Sequence, residues 1–149
     1  MRDNFLRILS IDFGEKRIGL AVSDPLGLTA QGLETLLNKG KKHTLENLAK
    51  ICKEREVCEV IIGLPTNMNG SFGPKAQEVL GLVPELEKAL KIPVKTWDER
   101  LTSREVGRLM IEEGLSRRKQ KANSDRLAAI VLLQNYLESR RQKEAKERS

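Results

Sequence analysis

The sequence predicts an α/β fold: a sheet whose first strands run antiparallel and whose later strands run parallel, crossed by helices. Three observations carry this. Residues 6–23, LRILSIDFGEKRIGLAVS, hold two apolar β-rich runs joined by a short polar turn. Residues 57–64, VCEVIIGL, and 92–97 give further apolar strands. Between and after them lie stretches with one-sided apolar spacing at the helical period. Strands that come first as a hairpin and then alternate with helices fit a mixed sheet.

Residues 8–13 and 18–22 lack clean alternation, which suits central strands covered on both faces. Asp12 sits inside the first run, and burying an unpaired carboxylate there would cost several kcal/mol. It is therefore expected at the open end of the strand. Two readings stay open: Asp12 makes a turn hydrogen bond, or it forms part of an anion or metal–phosphate site. Gly14 lets a phosphate or the next strand approach the backbone. Glu15, Lys16 and Arg17 form the turn.

Residues 32–37 are expected as a third, edge strand. A basic turn follows at 38–42, and Thr44 is the expected N-cap of a helix with Leu45, Leu48, Ala49 and Cys52 on one face. The strand at 57–64 opens into the loop 63–73, GLPTNMNGSFG, long for a plain connection. Its backbone N–H groups and Asn67 are candidates to meet phosphate, although a plain surface excursion fits as well. Pro74 suits the first turn of a helix running to about residue 91. The short strand 92–97 ends at Asp98, Glu99 and Arg100. A helix capped by Thr102 or Ser103 and stopped by Gly114 comes next. Residues 116–121, SRRKQK, read as a basic linker, with Arg117 and Arg118 able to track a nucleic-acid backbone. Asn123 or Ser124 caps a last helix to about residue 137. Residues 1–138 are expected as one domain, and 139–149, with five basic and two acidic residues, as a frayed or disordered tail.

The chain has 149 residues and a net charge of +6, so acidic polymers are plausible partners. Cys52 and Cys58 fit no zinc spacing, and His43 is the single histidine, which argues against a zinc site or a histidine-based triad. No stretch approaches the ~18 apolar residues of a membrane span, no leader is visible, and a cytoplasmic protein is expected. Few aromatics make broad base stacking unexpected, so recognition should be of backbone and shape.

Three acidic positions fall at ends of elements: Asp12, the Asp98–Glu99 pair, and Asp125. The carboxyl ends of parallel strands line the ligand crevice of α/β sheets. On the last helix, Asp125 shares a face with Ala129, Leu132 and Tyr136, so it is expected to point toward the sheet. The bland alternative is an acid favoured by the helix first turn. Inward carboxylates without histidine call for a cation, and hard oxygen ligands select Mg²⁺ or Mn²⁺. Two such ions about 3.5–4 Å apart suit phosphodiester cleavage. Lys16, Arg17 and Arg100 flank that site.

Four blocks, IDFGEKRIGLAVSD (11–24), IIGLPTNMNGSFG (61–73), DERLTSREV (98–106) and SDRLAAIVLLQNYL (124–137), together resemble the YqgF family, also called the Holliday-junction-resolvase-like or pre-16S rRNA nuclease family. The resemblance implies an RNase H-like fold, with a five-stranded mixed sheet and helices on both faces. It implies a bacterial, metal-dependent nuclease maturing the 5′ end of 16S rRNA. Asp12 matches its first acidic position, Glu99 or Asp98 its second, and Asp125 its third. Successive strand residues face opposite ways, so one of Asp98 and Glu99 reaches the metals. The competing expectations are a dimeric resolvase of four-way DNA junctions, a non-catalytic nucleic-acid-binding module of ribosome or transcription complexes, and a nucleotide-hydrolysing relative. For the nuclease, pre-rRNA or branched DNA and ribosomal particles are the expected partners, with the chain a monomer or weak homodimer.

Overall fold

A computed structural model describes residues 7–67, 69–98 and 117–148, with side chains in the last helix from residue 126 to 147. The elements are β1 (Arg7–Phe13), β2 (Arg17–Ser23), β3 (Ala30–Gly32), β4 (Leu36–Leu37), α1 (Lys41–Glu54), β5 (Val57–Leu64), α2 (Pro74–Leu90), β6 (Val94–Asp98) and α3 (Arg117–Arg148). The helix expected at 102–114 lies outside the described residues.

The sheet order is β3-β2-β1-β5-β6. β1 pairs antiparallel with β2 and parallel with β5, which pairs parallel with β6. The expected third strand is split: β3 pairs with Ala21–Ser23 and β4 with Arg17–Ile18. Between them the Leu33 N–H still donates to the Leu20 carbonyl at 2.9 Å. Six segments thus fill five strand positions, and the mixed α/β architecture is the one the sequence predicts.

Strand alternation sorts the core into two layers. Leu9, Ile11, Ile18, Leu20, Val22, Val60, Ile62 and Leu64 meet Leu48 and Cys52 of α1 and Ala76, Val79, Leu82 and Leu86 of α2. On the other face, Ile8, Ala21 and Ile61 meet Ala129, Leu132, Leu133, Tyr136 and Leu137 of α3. On this second face β1 and β2 present Ser10, Asp12, Gly19, Ala21 and Ser23, all short, so α3 lies close to the sheet. The contact is direct: the Ser10 hydroxyl donates to the Ala129 carbonyl at 2.7 Å. At the sheet edge a Cβ on Gly32 would come within 2.7 Å of Arg126 Cγ and 2.9 Å of Ile130 Cδ1.

Three local expectations are corrected. α1 begins at Lys41 with Gly40 as its N-cap, because Asn38 Oδ1 accepts the Gly40 N–H at 3.1 Å and turns the chain there. Thr44 sits in the first turn with its side chain buried. Residues 117–121, expected as a linker, are helical, as are Asn123 and Ser124, expected as caps. Arg, Lys and Gln are strong helix formers, and their charge says nothing against a helix. The helix also continues through 139–147 as exposed turns. Pro74 does open α2, and Lys91 closes it in the left-handed conformation.

Candidate active site at the carboxyl end of the central strand

Asp12 is half-buried near the end of β1, on the face covered by α3. Its cross-strand partner in β2 is Gly19. On the other side, Ile11 pairs with Ile62, so the next step sets Asp12 beside Gly63. Neither direct neighbour, Gly19 or Gly63, has a side chain to stand over the carboxylate. Glycine in a strand interior suits such close approach. Gly19 and Gly63 therefore shape the site; the mark visible in the sequence is a glycine in each of two apolar strand runs.

The helix runs antiparallel to β1. Ala129 lies over Ser10, while Tyr136 and Leu137, two turns on, lie near Glu59 and Ile8 at the strand's beginning. From the Ser10–Ala129 bond, Asp12 is two strand residues away, about 6.6 Å. In the same direction, the Asp125 backbone is one helical turn away, about 6 Å. The two acidic positions thus occupy the same end of two packed elements. The Asp125 side chain lies outside the described residues.

Asp98 ends β6 and pairs with Leu64. Leu64 and Phe13 belong to the layer under α1 and α2. Asp98 is therefore in a row directed to the face opposite Asp12, whereas Trp97 packs in the α3 layer. Glu99 and Arg100 lie outside the described residues. Among the described residues no group of three or more His, Cys, Asp or Glu side chains is gathered to hold a metal. Of Asp12, Glu99 and Asp125, only Asp12 has a described side chain. Its hard oxygen donors at the carboxyl end of β1 fit a hard divalent ion.

The turn beside Asp12 is clamped. Asn38 donates from Nδ2 to the Gly14 carbonyl and from its backbone N–H to the Lys16 carbonyl, both at 2.9 Å. A Cβ on Gly14 would collide with the Arg17 carbonyl oxygen, so the close approach made possible there is the turn's own backbone. Lys16 is exposed and Arg17 half-buried at the start of β2. In the loop after β5, Asn67 donates to the Ser71 hydroxyl at 3.1 Å, and its N–H donates to the Ser71 carbonyl at 2.9 Å. Asn69 accepts from both the Ser71 N–H and hydroxyl. Asn67 is thus part of the loop's own bracing. Arg117 and Arg118 are the first residues of α3, with side chains outside the described residues.

A second polar group was not read from the sequence. Glu59 of β5, 14% exposed, accepts the Tyr136 hydroxyl at 2.6 Å and pairs with Lys95 at 3.2 Å and Arg140 at 3.8 Å. Lys95 also donates to the Tyr136 oxygen at 3.4 Å. Burial, then Glu59, pushes the Tyr136 hydroxyl above its ordinary value, and the hydrogen bond to Glu59 raises Lys95. Trp97 meets Tyr136 edge-on, centroids 5.3 Å apart. The indole N–H is buried with no acceptor among the described residues. The one signal in the sequence was a lone charge inside VCEVIIGL. Both cysteines are free; burial pushes Cys52 to about 11 and raises Cys58, so neither is a thiolate at neutral pH. A groove of about 770 Å³ opens at the opposite end of β1, by Ile8, Leu28, Cys58 and Arg141, away from Asp12.

A mixed sheet in this order, helices on both faces and an acid ending the central strand, defines the RNase H-like class. Solved structures agree on the fold. The T. thermophilus RuvC in complex with Holliday junction substrate superposes with a TM-score of 0.56 over 91% of this chain and 95% of its own, at 17% identity. The fowlpox virus resolvase in complex with substrate Holliday junction DNA gives 0.57 over 90% and 98%, at 15% identity. The chain belongs to the RuvX family, described as Holliday junction resolvase, whose model matches residues 6–139. This agrees with the resemblance carried by the four sequence blocks. A protein of Syntrophomonas wolfei named "Putative pre-16S rRNA nuclease" is 49% identical over 89% of this chain and 94% of its own length. One of Clostridium botulinum with the same name is 46% identical over 90% and 98%. No helix among the described residues is long and apolar enough to cross a membrane.

Proposed function

We propose that this chain is a divalent-metal-dependent endonuclease of structured RNA that processes the 5′ end of pre-16S rRNA in the cytoplasm, acting on ribosomal precursor particles. The observation that carries the reading is the Ser10–Ala129 contact, from which Asp12 and the Asp125 position lie one step away in the same direction. The identity to relatives named for that rRNA supports the substrate. Asp12, Glu99 and Asp125 would hold Mg²⁺ or Mn²⁺. Strand parity supports Glu99 over Asp98, since Asp98 is in register with Leu64 on the other face. When bound, the ions activate a water and stabilise the leaving oxygen of the phosphodiester. Lys16, Arg17 and Arg100 would hold phosphate, and Gly14 keeps the Lys16–Arg17 turn tight against the end of β1. Asn67 holds the loop whose N–H groups would meet the backbone, and Arg117 and Arg118 would follow it further. Asp12→Asn is expected to abolish cleavage of a precursor 5′ leader while preserving the fold and RNA binding. Cleavage by the wild type in chelator-treated buffer would refute the reading.

The family description favours a second reading, resolution of four-way DNA junctions. Paired cuts on a two-fold substrate need a dimer, whereas the rRNA reading needs only a monomer or weak homodimer. Symmetric cleavage of a junction by a stable dimer would favour the resolvase.

A further inference from the structure

β6 is an edge strand, and among the described elements its backbone pairs only with β5. Val94 packs in the layer under α2, and its N–H donates to Glu87 Oε2 at 3.5 Å; toward α3, the contacts among the described residues are made by side chains. Trp97 meets the Tyr136 ring at 5.3 Å and 86°. The Tyr136 hydroxyl donates to Glu59 of β5 at 2.6 Å. Lys95 of β6 reaches both, at 3.4 Å to the phenol oxygen and 3.2 Å to the Glu59 carboxylate. One phenol therefore ties α3 to two strands at once. The place of this tie matters: Trp97 stands two residues before Glu99 in the sequence. Tyr136 stands roughly three helical turns after Asp125 on the same helix.

We propose that Tyr136 and Trp97 are positioning residues: the ring contact between them, together with the phenol's bonds to Glu59 and Lys95, fixes the end of β6 against α3 and thereby sets how tightly the acidic site binds a divalent ion. This rests on the nuclease reading above. Neither residue touches substrate or metal in this account. Removing the phenol's bonds loosens the end of β6 against α3, and acids that must converge on one ion no longer hold their spacing.

The test is Mn²⁺ alone, titrated by calorimetry into wild type, Asp12→Asn and Tyr136→Phe at a temperature where circular dichroism shows each to be folded. Trp97, the chain's single tryptophan, gives a second readout through its fluorescence. Wild type is expected to bind Mn²⁺ and Asp12→Asn to lose that binding. Tyr136→Phe is expected to bind at least fivefold more weakly, with the Trp97 signal shifted to match. A role confined to stability would lower the melting temperature and leave Mn²⁺ affinity unchanged, and that result overturns the proposal. If wild type shows no Asp12-dependent binding, the nuclease reading falls and the proposal with it. Should Tyr136→Phe fail to fold, Glu59→Gln makes the same comparison, with the same loss expected and unchanged affinity again contradicting it.

Discussion

Glu59 has three partners, and their burial ranks them. The Tyr136 hydroxyl approaches at 2.6 Å from a residue 6% exposed. That is the short range of an O–H donating to a charged oxygen, about twice as strong as a neutral bond. Lys95, at 3.2 Å, has a side chain 58% exposed, and Arg140, at 3.8 Å, one 49% exposed. Exposed ion pairs contribute about 0–1 kcal/mol. Removing the phenol oxygen in Tyr136→Phe leaves a nearly enclosed carboxylate with only these weak partners. The expected loss is about 1.5–2 kcal/mol, within the range for hydrogen bonds to charged groups. Lys95→Ala should lose under about 1 kcal/mol. For a chain of this size, each kcal/mol shifts the melting temperature by about 2–4 °C. Urea unfolding of wild type, Tyr136→Phe, Glu59→Gln and the Tyr136→Phe/Glu59→Gln double variant gives a double-mutant cycle with an expected coupling of about 1 kcal/mol. A Lys95→Ala loss as large as that of Tyr136→Phe, or no coupling in the cycle, would refute this ranking.

Other expectations follow from single contacts. Slight burial pushes the Asp24 carboxyl up, but the Thr29, Leu28 and Leu26 N–H groups hold it below its ordinary 3.8 overall. Its contribution to stability is therefore present above pH 3.8 and lost as pH falls through the lowered value. The advantage of wild type over Asp24→Asn in urea unfolding should be full at pH 6 and shrink below about pH 4. Gly14→Ala should destabilise by about 1–3 kcal/mol, because the Arg17 carbonyl is backbone and cannot swing aside; cleavage should fall with it. Lys16→Ala should weaken RNA binding at low salt and reduce the slope of log affinity against log salt by about 1, measured by fluorescence anisotropy.

What was legible in the sequence was what local chemistry decides. The apolar runs of β1 and β5, Pro74 at the start of α2 and the open-end location of Asp12 all follow from burial and backbone rules. The α3 face of Ala129, Leu132 and Tyr136 followed from helical period alone. Misreadings came where one local rule was taken for the whole. Thr44 resembled a cap, but Asn38 and Gly40 turn the chain earlier. Arg117 to Lys121 resembled a linker by charge, although every residue there favours helix. The third strand read as continuous, since nothing in its composition marks the lapse between Gly32 and Leu36. The Glu59–Tyr136–Trp97 group was illegible for a different reason: its members lie far apart in sequence, and only the crossing of α3 over β5 and β6 brings them together.

The central claim is that Asp12, Glu99 and Asp125 converge on divalent ions at the carboxyl end of β1. Its most direct test is anomalous diffraction from crystals soaked in Mn²⁺. The expected result is an ion within about 2.0–2.2 Å of an Asp12 carboxylate oxygen and of oxygens from Glu99 and Asp125. An Asp12 carboxylate bound only by basic side chains, with no Mn²⁺ beside it at saturating concentration, would contradict the account.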